Sequence, residues 1–202
     1  MRFKLFSTEI RVSYLLICLA AISIILSFFD SFLWCVTAVI LHESGHIFAM
    51  CSFGFPPEKV KISLFEISIV DRKRQKRTFK QNFLIIFSGP FANFICFILF
   101  YLLYLLGSDI LFNPAMANLS VGIFNLLPVL SLDGGQLLYL VLCRFFTDCI
   151  SERVVNIISF IILFPLSALG FLLLINSKYN FSLLLVCFYI VLSLVLKNNR
   201  YF

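Results

Sequence analysis

The chain has 202 residues, 61% of them hydrophobic and only 13% charged, with a formal net charge of +6. A soluble domain runs at about 45–50% apolar and about 25% charged residues, so this composition excludes a water-soluble globule. The positive charge, once sorted by position, reports topology and excludes a nucleic-acid surface.

Arg2, Lys4 and Arg11 precede the first charge-free block, Val12–Phe29. That block is longer than the core of a secretory signal and has no small-residue cleavage site before Asp30, so it reads as a retained helix. Further charge-free blocks are Gln81–Gly107, Ile110–Leu132, Val154–Ser177 and Tyr179–Leu196. A membrane helix needs about 20 such residues. The expected fold is an all-α polytopic membrane protein of about six spans, over 12–29, 32–53, 83–106, 112–130, 154–175 and 180–196. With the N-terminus inside, three basic residues of the tail, eight of segment 54–82, two of 131–153 and two at the C-terminus share one side. Lys178 alone falls on the other, and cytoplasmic loops are the ones that carry the Lys/Arg excess. The run DRKRQKR at 71–77 therefore reads as an inner-side anchor beside anionic headgroups. The layout suits a multi-pass protein of a bacterial cytoplasmic membrane with both termini cytoplasmic. The seven cysteines form no CxxC pair and read as free, small hydrophobes.

Pro56 and Pro57 end the second span. In the following KVKISLFEISIV, alternation changes parity near Phe65–Glu66, which predicts a small membrane-associated β-hairpin with a bulge or tight turn. Gly89–Pro90 interrupts the third apolar block, which is tolerated where backbone faces protein or water. In NLLPVLSLDGGQ, residues 125–136, Pro128 breaks a helix and Asp133 with Gly134–Gly135 predicts a turn at membrane depth.

The second span holds the chemistry. AVILHESGHIFAM, residues 38–50, places His42, Glu43 and His46 in apolar sequence. Helical residues i and i+4 share a face, so the two imidazoles can hold one ion with Glu43 beside them. This is the HExxH pattern of zinc ligation with a general base. The two histidines are the only ones in the chain. An ionisable group at the centre of a membrane helix costs about 2.5–3.5 kcal/mol, and a bound ion offsets that cost. Zinc takes a third protein ligand. Apart from Glu43, Asp133 alone of the ten acidic residues sits in apolar sequence at a helix break. Cys51 competes, but its offset of five turns it around the helix.

These stretches resemble the site-2 proteases, the intramembrane zinc metalloproteases: HESGH at 42–46, FSGPFAN at 87–93 and NLLPVLSLDGG at 125–135. The resemblance covers about 12–150 and implies that His42, His46 and Asp133 bind one zinc ion, with Glu43 as catalytic base. It further implies that Asn125 and Pro128 shape the site and position substrate, and that Gly89, Pro90 and Asn93 permit close packing beside it. Residues 1–202 are expected to form a single membrane protease domain, core 12–150 with added helices over 154–196, without an inserted PDZ-type or other soluble domain. The compact layout is similar to the sporulation branch, which releases a membrane-tethered sigma factor. The Gly-Gly that the family carries after the second helix is not evident in SLFEISIV.

The implied reaction is hydrolysis of a peptide bond in or near a transmembrane or membrane-tethered segment of a protein substrate, with separate membrane proteins as regulators. Strand addition to an edge within 61–69 would unwind such a substrate. Two other classes share the polar cluster. A metal- or proton-handling transporter would show repeat symmetry, which this sequence lacks, and a non-catalytic scaffold has no use for all four polar groups together.

Overall fold

The computed structural model describes residues 2–5, 8–12, 29–57, 59–62, 67–70 and 76–176. In chain order the elements are β1 (Arg2–Leu5), β2 (Thr8–Val12), α1 (Phe29–Ser52), β3 (Lys59–Ile62), β4 (Ile67–Val70) and α2 (Phe79–Leu105). A single 3₁₀ turn (Asp109–Leu111) follows, then α3 (Phe112–Asn125), α4 (Asp133–Leu142) and α5 (Asp148–Asn176). The chain divides into two compact units, Met1–Ile123 and Phe124–Phe202.

Among the described residues, three helices are long and apolar enough to cross a membrane: Phe32–Ser52, Phe79–Leu105 and Asp148–Leu172. Their outward faces are apolar, with Phe48, Leu102 and Phe164 exposed, as a lipid-facing surface requires. Four hydroxyls of these helices bond to their own backbone: Ser44 to Leu41 O, Ser52 to Phe48 O, Ser167 to Phe164 O, and Thr37 to Leu33 O. The expected spans 12–29 and 180–196 lie outside the described residues, save Val12 and Phe29.

In the first unit, α1 buries Ala38, His42, His46 and Met50, one residue every four, which makes a single inward row. The row meets α2, whose buried residues are Ile85, Ile86, Gly89, Pro90 and Asn93. The two helices approach so closely that a Cβ on Gly45 would lie 2.5 Å from Ser88 O and 2.8 Å from Ala92 Cβ. Helix α1 ends in a Schellman motif: Phe55 N–H donates to Met50 O and Gly54 N–H to Cys51 O, with Gly54 at φ 77°. The expected stop at Pro56–Pro57 is thus executed two residues earlier by glycine, and the prolines follow it. Helix α2 closes the same way, through Ser108 N–H to Leu103 O and Gly107 N–H to Tyr104 O, with Gly107 at φ 104°. Its start is a capping box, in which Gln81 N–H donates to Thr78 Oγ1 and Thr78 N–H to Gln81 Oε1. Just before it, buried Arg77 donates to Phe55 O at 3.5 Å and lies 5.0 Å from the Phe55 ring centroid. One cation of the basic run therefore ties the loop to α2, whereas Lys76 and Lys80 are exposed.

The strands pair in the order β1-β2-β3-β4. β1 and β2 are antiparallel, β2 and β3 parallel, and β3 and β4 antiparallel. The chain is mostly helical, as expected, and its β element is larger than the expected 59–70 piece: the stretch read as a basic tail supplies two strands. Its period-two alternation, Phe3 and Leu5 between Arg2 and Lys4, then Ile10 and Val12 between Glu9 and Arg11, was the signal. The register sets Glu9 opposite Lys4 on one side and Lys59 on the other. Of the stretch 61–69, where an edge was expected, β3 is an interior strand and β4 an edge. β1 and β4 are the edges, while residues 63–66, where the bulge was expected, lie outside the described residues.

In the second unit the expected break at Pro128 occupies 126–132. Helix α3 stops at Asn125, because the residue before a proline disfavours helical backbone. At 14 residues it is about 21 Å long at 1.5 Å per residue, short of the roughly 30 Å hydrocarbon core. Asp133, Gly134 and Gly135 open α4 instead of forming a turn. The glycines are needed for contact: a Cβ on Gly134 would lie 2.1 Å from Leu126 O, and one on Gly135 2.1 Å from Val129 O. Val129 and Leu163 form the buried core, joined by Phe124, Leu127, Leu132, Ile162 and Leu166. Helix α5 buries Ser151, Val155, Ser159 and Leu163, again one residue every four.

Candidate metal centre

Helix α1 brings His42 and His46 onto one face, 4% and 8% exposed. Their rings meet edge to face with centroids 4.9 Å apart, and the two Nε2 atoms are 3.2 Å apart. His46 Nδ1 lies 2.8 Å from Ile85 O in α2. A carbonyl oxygen only accepts, so Nδ1 carries the proton and Nε2 presents its lone pair. Ile85 O also accepts from Ser88 Oγ at 2.6 Å, which fixes the carbonyl's direction.

Gly89 lines the other side. A Cβ there would lie 2.3 Å from His46 Nε2 and 2.8 Å from His42 Nε2, so the missing side chain leaves a hollow facing both nitrogens. The pair fits a zinc ion. Two Zn–N bonds of about 2.0–2.1 Å at a tetrahedral angle set their nitrogens about 3.3–3.4 Å apart, against the observed 3.2 Å. Neutral imidazoles are also suitable donors for this ion.

Glu43 follows His42 on α1, about 100° round the helix, and is half-buried. Cys51 is exposed. Pro90 and Asn93 continue the buried face of α2 one turn beyond the histidines. Asn93 is fully buried and donates to Asn118 O at 3.5 Å, while Asn118 donates to Pro114 O at 2.8 Å. A Cβ on Gly122 of α3 would meet Asn93 Cβ at 3.3 Å. The remaining sequence-predicted residues belong to the second unit: Asn125 ends α3, Pro128 lies in the loop, and half-buried Asp133 opens α4. Two features at the histidines had little or no sequence signal. The Ile85 carbonyl is backbone, and Gly45 is marked only by its place inside HESGH.

The profile described as peptidase family M50 matches residues 31–110 and 107–169. Zinc metalloprotease MJ0392 of Methanocaldococcus jannaschii is 26% identical over 156 residues, which cover 70% of this chain and 45% of that protein. The chain thus matches less than half the length of that relative. The solved site-2 protease from Methanocaldococcus jannaschii superposes with a TM-score of 0.71 at 21% identity, covering 100% of this chain and 96% of that one. At that identity the likeness establishes a shared fold.

Proposed function

The chain belongs to peptidase family M50, membrane metalloproteases of the site-2 type, and from that premise we propose that it hydrolyses a peptide bond in or near a membrane segment of a protein substrate. The observation that carries this reading is the buried His42–His46 pair, with nitrogens 3.2 Å apart and a tautomer set by Ile85. In this proposal His42, His46 and Asp133 hold one zinc ion. A bound zinc supplies Lewis acidity, polarising a carbonyl and lowering the pKa of water to about 7. Glu43 takes the proton of the attacking water and passes it to the leaving amine, general acid–base work contributing about 10²–10⁴-fold. Asn125 and Pro128 position the substrate. The tautomer that Ile85 sets leaves His46 Nε2 free of a proton for the ion.

A helical substrate hides its scissile carbonyl and must unwind. Edge strand β4, Ile67–Val70, offers backbone partners to an extended peptide. Six spans with cytoplasmic termini in a bacterial membrane complete the proposal. Support comes from the basic-residue asymmetry and from the pairing of β2 with β3. Strands lying side by side require an even number of crossings between them, and α1 supplies one. The substrate proposed is a membrane-tethered protein, including a tethered transcription factor, with separate membrane proteins controlling access.

The test is zinc content and cleavage of a membrane-tethered substrate in wild type and Glu43→Gln. One zinc in each with cleavage by the wild type alone is expected. Wild-type protein that binds no zinc overturns the proposal.

A further inference from the structure

Helix α5 carries several serines, and one differs from the rest. Ser167 bonds back to its own helix and is part-exposed, the usual habit of a hydroxyl in an apolar helix. Ser151 is fully buried, and its Oγ has no hydrogen-bond partner. Ser159 is also fully buried, but its hydroxyl works twice. It donates to Val155 O at 2.7 Å and accepts the Leu130 N–H at 2.9 Å, across 29 residues of sequence.

Leu130 sits in the loop 126–132, three residues before Asp133. One side of this loop lies on the α4 glycines, with the Val129 and Leu126 carbonyls at the distances given above. On its other side Val129 packs against Leu163, one turn beyond Ser159. The hydrogen bond to Ser159 is the polar link of that second contact. The donation to Val155 O aims the Ser159 lone pair at the loop, so the acceptor is preset by the helix.

We infer that Ser159 is a positioning residue: through Leu130 it fixes the loop that presents Asp133, and so sets the aim of that carboxylate. The inference rests on the proposal that Asp133 is a zinc ligand. Ser159 touches neither metal nor substrate. It acts on the backbone, where metal-ligand distances tolerate only about 0.2 Å of error.

The experiment compares wild type, Ser159→Ala, Ser159→Thr and Ser151→Ala in nanodiscs, by zinc competition against a chelator and by residue-resolved hydrogen exchange. In Ser159→Ala the Leu130 amide is expected to exchange on the order of tenfold faster, the loss of one hydrogen bond. Zinc is expected to bind at least about tenfold more weakly, the lower end for groups that orient a ligand. Ser159→Thr, which keeps the hydroxyl and its bond back to the helix, restores both. Ser151→Ala, an equally buried serine on the same helix, leaves both at wild-type values. Unchanged zinc affinity in Ser159→Ala overturns the inference. Weakened zinc with an unaltered Leu130 amide does so equally, since the effect would then come from elsewhere. Wild type without zinc sinks the functional reading, and Leu130 exchange in Ser159→Ala still decides whether the serine holds the loop.

Discussion

Replacing Gly89 by alanine adds one methyl group at the point where α2 touches the two imidazoles. That methyl would stand 2.3 Å from His46 Nε2, 2.5 Å from Cε1 and 2.8 Å from His42 Nε2. Ordinary contact begins near 3.4 Å, so ring and helix must part by about 1 Å, several times the tolerance of a metal–ligand bond. Alanine favours helix over glycine by about 0.8–1.0 kcal/mol. Residue 89 precedes a proline, however, where a Cβ disfavours helical backbone, and overpacking costs about 1–3 kcal/mol. The propensity gain covers only part of these costs, so a loss of about 1–2 kcal/mol of stability is expected, while zinc affinity falls at least about 100-fold, beyond the range for groups that merely orient a ligand. The assay is zinc stoichiometry by mass spectrometry, with chelator competition and a melting curve on the same preparation. Gly54→Ala serves as control for zinc binding: nothing lies within 4 Å of a Cβ there, but its φ of 77° strains an alanine by about 1–2 kcal/mol, so the midpoint should fall with zinc affinity unchanged. Gly89→Ala protein that binds one zinc with wild-type affinity would refute the assignment of the hollow.

Gly45→Ala tests the crossing of α1 and α2 instead of the ligands. The added methyl meets Ser88 O at 2.5 Å and Ala92 Cβ at 2.8 Å. A destabilisation of about 1–2 kcal/mol is expected after the helix-propensity gain, read by denaturant titration in micelles, and wild-type stability would contradict it. Thr78→Ala removes half of the capping box of α2 and should cost about 1 kcal/mol. Hydrogen exchange should report faster amides at 79–81 with zinc binding unchanged, and an unaffected Gln81 amide would show that the cap contributes nothing.

Much of the candidate centre was legible because membrane burial makes polar groups conspicuous. His42, Glu43 and His46 stood out against apolar neighbours, and helical period alone put the histidines on one face. Gly89 could be placed beside them only through a motif, since a glycine's function here lies in an atom it lacks. The 59–70 strands announced themselves by alternation, whereas β1 and β2 were hidden under their charge: Arg2, Lys4 and Arg11 read first as a topology signal. Pairing across 50 positions of sequence, Val12 with Ile62 among them, is a tertiary fact with no local trace. Helix α3 illustrates the opposite error. Its apolar sequence runs on to Leu132, but the backbone before Pro128 cannot stay helical, so hydropathy overstated the helix. Ser159 lay beyond reach, because nothing in an isolated serine tells which distant amide it will meet.

The proton on His46 is held by a main-chain oxygen, and that has a genetic consequence. Every residue type at position 85 offers the same carbonyl, so substitutions there can alter packing but not the proton's location. The tautomer is inherited through the phase of a helix instead of through the identity of a residue. A scan of single substitutions should therefore pass over position 85 with little trace in metal binding. Losing one residue between Lys80 and Leu84 would turn the preceding turn about 100° relative to the rest and leave a different oxygen, or none, facing the ring. At this contact the protein tolerates changes of spelling far better than changes of length.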